Sequence, residues 1–191
     1  STFFIVVAIV LALIVLVMSV RPMLENGVNV EAAPTLMVVI PIMTVVGIAL
    51  LRQNHGLHVH FDVHGGPGET LMMLTKILSV QIAFGLFGIA VLSRVGYLAR
   101  FVTGQETSPG SYALVCPGVA LSVMTHFWLN KGLVATGLVA KFSVAYWSVS
   151  AIAVALLAGL DPVGVVITGI LFGALQAGAG AMQRDAGIPA A

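Results

Sequence analysis

Phe3-Phe4-Ile5-Val6-Val7-Ala8-Ile9-Val10-Leu11-Ala12-Leu13-Ile14-Val15-Leu16-Val17-Met18-Ser19-Val20 carries no charge and a single hydroxyl. A run of this length is close to the ~20 helical residues that cross a bilayer core. It does not alternate polar and apolar side chains, as a membrane β-strand would. In lipid every backbone group must be paired, and an α-helix pairs them within the segment. Five further stretches repeat the pattern: Thr35–Leu51, Leu71–Leu92, Tyr112–Leu129, Leu133–Ala158 and Val163–Met182. The expected fold is therefore all-α, a polytopic integral membrane protein of about six transmembrane helices.

The rest of the chain agrees. Of its 191 residues 59% are hydrophobic and 8% charged, with a mean hydropathy of +1.10. Soluble domains carry about 25% charged residues and need a polar skin. A soluble enzyme, a disordered chain and a fibrous protein are excluded. The net charge of +1 contains no basic block, so nucleic acid is not an expected partner. One cysteine, Cys116, allows no internal disulfide. There is no Walker loop, nucleophile elbow or H-E-x-x-H motif, and no catalytic residue is expected. The chain opens on Ser1 without the basic segment and cleavage site of a signal peptide. Residues 3–20 are read as a true helix with sequence upstream, and the chain as part of something larger.

Most of the charge lies in the connections, with Lys76 and Lys141 inside spans. Arg21, Glu25 and Glu31 follow the first span, Arg52, Asp62 and Glu69 the second, and Arg94, Arg100 and Glu106 the third. Six spans place Arg21, Arg94 and Arg100 on one face and Arg52, Lys131 and Arg184 on the other. The positive-inside count is too even to orient them.

Three features could carry chemistry. His55-Gly56-Leu57-His58-Val59-His60-Phe61-Asp62-Val63-His64 holds four of the five histidines. If extended, it would align His58, His60, Asp62 and His64 on one face, a donor set suited to zinc or a similar ion. The alternative is an amphipathic interfacial loop. Lys141 lies eight residues inside the fifth expected span. A buried ammonium there should face a cavity and draw anions, or else snorkel to the interface. Lys76, one turn inside the third span, is read as snorkelling. Cys116-Pro117-Gly118 interrupts the fourth span, and a proline frees carbonyls that lipid tolerates only beside protein or water. It is read as a pore-lining break or as a structural kink, with Cys116 as a reactive or an inert thiol. Pro41 is read as another kink, His126 as part of an interfacial belt and Gly169–Gly173 as a close-packing element.

Two stretches resemble known families. Val20-Arg21-Pro22-Met23-Leu24, Ala33-Pro34-Thr35-Leu36-Met37-Val38-Val39-Ile40-Pro41, Gln53-Asn54-His55-Gly56, Thr75-Lys76-Ile77-Leu78 and Gly110-Ser111-Tyr112-Ala113-Leu114 occur in this order. In that order and spacing, residues 5–150 resemble the C-terminal half of the tellurite-resistance/dicarboxylate transporter family, which includes the plant slow anion channels. The resemblance implies ten-helix bundles, usually trimers, each protomer with a central pore closed by a phenylalanine. This chain would hold the last five helices, with Pro117 where that phenylalanine is placed. Ala151-Ile152-Ala153-Val154-Ala155-Leu156-Leu157, Leu160-Asp161-Pro162-Val163-Gly164, Phe172-Gly173-Ala174-Leu175-Gln176-Ala177-Gly178 and Ala181-Met182-Gln183-Arg184 are similar to the tail of nucleoside/sugar-type ABC permeases. Two regions are therefore expected, 1–150 anion-channel-like and 151–191 permease-like.

The expected function is transport of a small anion through a helix-bundle pore, without enzymatic activity or cofactor apart from the metal considered above. Lys141, Pro117, Cys116 and Gly118 are the expected pore residues. The alternatives are a non-catalytic helical subunit of a larger membrane complex, or a fragment of an ABC permease. The expected partners are the bilayer and either further copies of the chain, a trimer if the resemblance holds, or other membrane subunits. The expected location is a bacterial-type inner membrane.

Overall fold

The computed structural model describes residues 2–27, 29–61, 65–102, 104, 106 and 109–157, with 166–167, 169–171, 173–174 and 178 beyond them. All regular structure among the described residues is helical. Helix α1 spans Thr2–Asn26 and ends where Gly27 adopts φ 80°, a left-handed cap open to glycine. Helix α2 spans Val39–Phe61 and continues a 3-10 segment, Ala33–Val38. Helix α3 spans Pro67–Arg94, with Pro67 at its first turn, Glu69 near its N-terminus and Arg94 in its last turn, the charges the helix dipole favours. Helix α4, Val115–Phe127, follows a 3-10 segment at Pro109–Leu114 and runs into a π-helical segment at Trp128–Val134. Helix α5 spans Val144–Leu157.

Among the described residues three helical runs are long and apolar enough to cross a membrane: Thr2–Met23, Ala33–Leu57 and Pro67–Arg94. The fourth expected span is an unbroken helical run from 109 to 134 that changes type twice. The fifth needs correction. Residues 135–143 form a turn, and after it the described part of this expected span is helical as α5. Gly137 at φ 75° and Phe142 at φ 66° break the helix. The Ser143 hydroxyl then accepts the Tyr146 amide at 3.2 Å and caps the new one. The sixth expected span lies largely outside the described residues, and the boundary expected near residue 150 falls within α5.

The helices alternate in direction. Gln53 at the end of α2 donates to Thr2 Oγ1 at the start of α1, 2.8 Å away. The Trp128 indole donates to Thr75 Oγ1 near the start of α3 at 2.9 Å. The Leu156 carbonyl lies against Gly118, and the Tyr146 hydroxyl donates to Asn130 Oδ1 at 3.3 Å, so α5 runs back along α4. The end carrying Arg52 and His55 is therefore opposite the end carrying Arg94 and Arg100.

Lipid offers little hydrophobic drive for helices to associate, so close approach and interhelical hydrogen bonds must hold the bundle. Leu74, Leu78, Gln81, Gly85, Gly88 and Leu92 form a buried stripe on α3 at helical spacing. At Gly88 a β-carbon would sit 2.6 Å from Met37 Cγ, so only glycine lets α3 meet the 3-10 segment this closely. Phe84, Leu86, Phe87 and Ile89 of the same helix face outward, as expected of a surface solvated by lipid. Helix α1 is the peripheral member: none of its best 18-residue window is buried.

Candidate functional site

Three layers follow one another along α3. The first is an open cleft of about 730 Å³ at the end of the bundle where α2 finishes and α3 begins. Arg52, His55 and Lys131 supply its titratable lining, with Asn54, Thr70 and Phe127 beside them. Arg52 and His55 are three residues apart on α2 and so share a face. Lys131, half-buried, comes from the π-helical segment, whose wider turn changes the register that an α-helix would have kept. No carboxylate is among the described lining residues, although Glu69 Oε2 lies at the rim beside Gly65 and Asn54, and neither Arg52 nor Lys131 makes an ion pair among the described residues.

One turn further along α3 the bundle is closed by apolar packing. Leu74, Leu78 and Met124 form a buried cluster, with Ile77, Leu121 and Trp128 against it. Beyond this plug lies the third layer, a buried polar knot. Gln81 is fully buried, and its Nε2 donates to the Ile40 carbonyl at 2.9 Å and to Thr44 Oγ1 at 2.6 Å. The Thr44 hydroxyl lies 3.1 Å from the Ile40 carbonyl and 3.2 Å from that of Ala120, within reach of either as donor. The knot thus ties α2, α3 and α4. Gln81 Oε1 is left without a partner among the described residues, a cost in a buried site unless something else binds there.

Pro41 and Pro117 stand at the same kind of junction. Pro41 is the third residue of α2 and Pro117 the third of α4, and each follows a 3-10 segment. Each lies eight residues into a continuous helical run, so its missing amide leaves a carbonyl of the preceding 3-10 turn without that bond. At Pro117 the change from 3-10 to α geometry falls where that bond is missing. Pro117 is buried, its neighbour Cys116 is exposed, and Gly118 is the contact through which α5 packs on α4.

Lys141 also needs correction. It lies in the exposed turn before α5 and not eight residues inside a helix, and its Nζ sits 5.6 Å from the centre of the Phe142 ring. It is not among the residues lining the cleft, although its turn begins at Ala135, which is. Of the four histidine-segment residues, Asp62 and His64 lie outside the described residues. For His58 and His60 the backbone is described and is helical, at the end of α2. The extended chain that the expected shared face requires is therefore not found at these two positions, and the side chains of His58 and His60 lie outside the described residues. Among the described residues no three histidine, cysteine or acidic side chains converge.

The sequence reading missed Gln81 and Thr44 as partners, although Gln81 is a conspicuous amide in an apolar span. It placed Arg52 and Lys131 on one face without joining them to His55. Comparison with known protein families, with curated proteins and with solved structures finds no match to this chain.

Proposed function

We propose that this protein is a membrane transport protein for a small anion, with the Arg52–His55–Lys131 cleft as its entrance. The single observation that carries the reading is a cleft at the end of an apolar bundle lined by two cations that make no ion pair among the described residues, with Glu69 at its rim as the one carboxylate described nearby. Such a site concentrates anions, because low-dielectric walls focus the field of the two charges. In this reading the Leu74–Leu78–Met124 plug is the closed gate, and the Gln81 amide is the next group an anion meets. The resemblance to the slow anion channel family supports the same substrate class, and Lys141 contributes only as a further positive charge at this end. Nitrate and chloride uptake into liposomes tests it. Replacing Arg52 and Lys131 together by Met should lower flux severalfold or more, and Met124→Ala, which thins the plug, should raise it. Absence of flux, or flux unchanged in the double variant, overturns the proposal.

A second reading, a non-catalytic helical subunit of a larger membrane complex, is favoured by α1, which touches the bundle along one narrow stripe. Co-purification of stoichiometric partner subunits in mild detergent, with no flux by the chain alone, would establish it.

A further inference from the structure

The turn that displaces Lys141 from the membrane interior has a feature the transport reading does not use. Phe142 is the one non-glycine residue with positive φ among the described residues, at 66°. Left-handed backbone is unfavourable for an L-residue with a bulky side chain and persists where something else rewards it. Burial within the protein is not the reward, because Phe142 is 61% exposed. Its neighbours are equally open: Leu138 is 68% exposed, Val144 88% and Trp147 55%. Phe142 stacks edge-on against Tyr146 at 5.8 Å and lies 6.1 Å from Trp147, so the strain presents a small aromatic platform outward. Lys141 stands over the platform's edge.

The level of this platform follows from its contacts. Tyr146 bonds to Asn130, two residues from Trp128, and Trp128 bonds to Thr75 near the start of α3. The turn is therefore at the end of the bundle where the apolar stretch of α3 begins, the height at which headgroups lie. Exposed Trp and Tyr rings favour that layer, and a lysine there meets lipid phosphate.

We propose that the Leu138–Trp147 turn is a binding site for an anionic phospholipid. Lys141 pairs with the headgroup phosphate, while Phe142, Trp147 and Leu138 rest on the upper acyl chains. The site depends on the protein being in a membrane and not on anion passage, so it stands or falls separately from the transport reading.

The test is quenching of tryptophan fluorescence in mixed vesicles of brominated and plain lipids, with Trp147→Phe used to assign the signal of Trp147 against Trp128. Brominated phosphatidylglycerol should compete about fivefold better than brominated phosphatidylcholine, the weight of one surface lysine at an anionic leaflet. Lys141→Gln should bring the two lipids to parity. Phe142→Gly should keep the melting temperature, since glycine accepts φ 66°, and should weaken quenching by both brominated lipids. Parity in the unmodified protein, or a preference that survives Lys141→Gln, overturns the proposal. A lowered melting temperature of Phe142→Gly with quenching undiminished would assign the ring a structural role and overturn it too. Loss of the preference on adding millimolar inorganic phosphate would assign the site to free anions instead of lipid.

Discussion

Tyr97 shows how much a single buried hydroxyl can decide. It is fully buried against Ala33 and Leu92, with Phe101 alongside, and its hydroxyl has no partner among the described residues. Burial first, and then the Glu31 carboxylate, push its phenol above the ordinary 10.0. A folded-state value above the unfolded one means that the neutral phenol's contribution to stability is complete below about pH 10. It is lost as pH rises through the higher folded value. Tyr97→Phe should therefore flatten the alkaline loss of stability. At neutral pH it should cost nothing or gain up to about 1 kcal/mol, because an unpaired polar atom leaves the interior. Thermal melting from pH 7 to 11, with ultraviolet titration of the phenols, checks both; a large loss at pH 7 would mean that the hydroxyl has a partner. At this scale the sequence was only half legible. Arg52 and Lys131 were readable as charges on one face, but their meeting with His55 depends on a π-helical turn that no local residue pattern announces. Gln81 and Thr44 are 37 residues apart, and their bond exists only through packing.

Among the helices, legibility follows continuity. Residues 2–23, 33–57 and 67–94 were readable because lipid leaves no alternative to a helix for a long apolar run. The break at 135–143 was not, because Leu138, Val139 and Phe142 keep hydropathy high through the turn. In water a turn announces itself by polarity; at a membrane surface it need not, and only Gly137 and Ser143 were available as signals. How the helices meet leads to a sharper expectation. A β-carbon on Gly118 would lie 2.8 Å from the backbone carbonyl of Leu156, which cannot move without shifting α5. A β-carbon on Gly47 would lie 2.8 Å from the terminal methyl of Met124 and 3.1 Å from Ile77 Cδ1, both ends of side chains that can turn aside. Overpacking against a fixed group costs about 1–3 kcal/mol, whereas alanine in place of glycine recovers up to about 1 kcal/mol of helix propensity. Gly118→Ala should thus lower stability by roughly 1–2 kcal/mol, and Gly47→Ala should be near neutral. Equal losses in detergent unfolding would remove the claim that α4 and α5 are locked backbone to backbone at Gly118.

For the whole molecule the alternation of helix direction has a direct consequence in the bilayer. Helix α3 has 28 residues and is about 42 Å long, more than the ~30 Å of a hydrocarbon core. Lying across a bilayer, it would place its two ends in opposite headgroup layers. The polar markers at each end agree: Arg52, His55 and Lys131 gather at one, and at the other Arg94 closes α3 and Arg100 pairs with Glu106 at 2.6 Å. Drawing either group through the core would strand charge in lipid, which holds the arrangement once inserted. Leu57, exposed near the end of α2, and Val102, exposed after α3, report the two sides without disturbing a buried contact. With exposed Cys116 first replaced by Ser, single cysteines at 57 and 102 should react oppositely with a membrane-impermeant maleimide in sealed vesicles. One should label at once and the other only after the membrane is opened. If both label from the same side, α3 does not cross, and the cleft loses its place at a membrane surface. The anion entrance and the lipid platform would fall with it, since both depend on which layer of the bilayer that end of the bundle occupies.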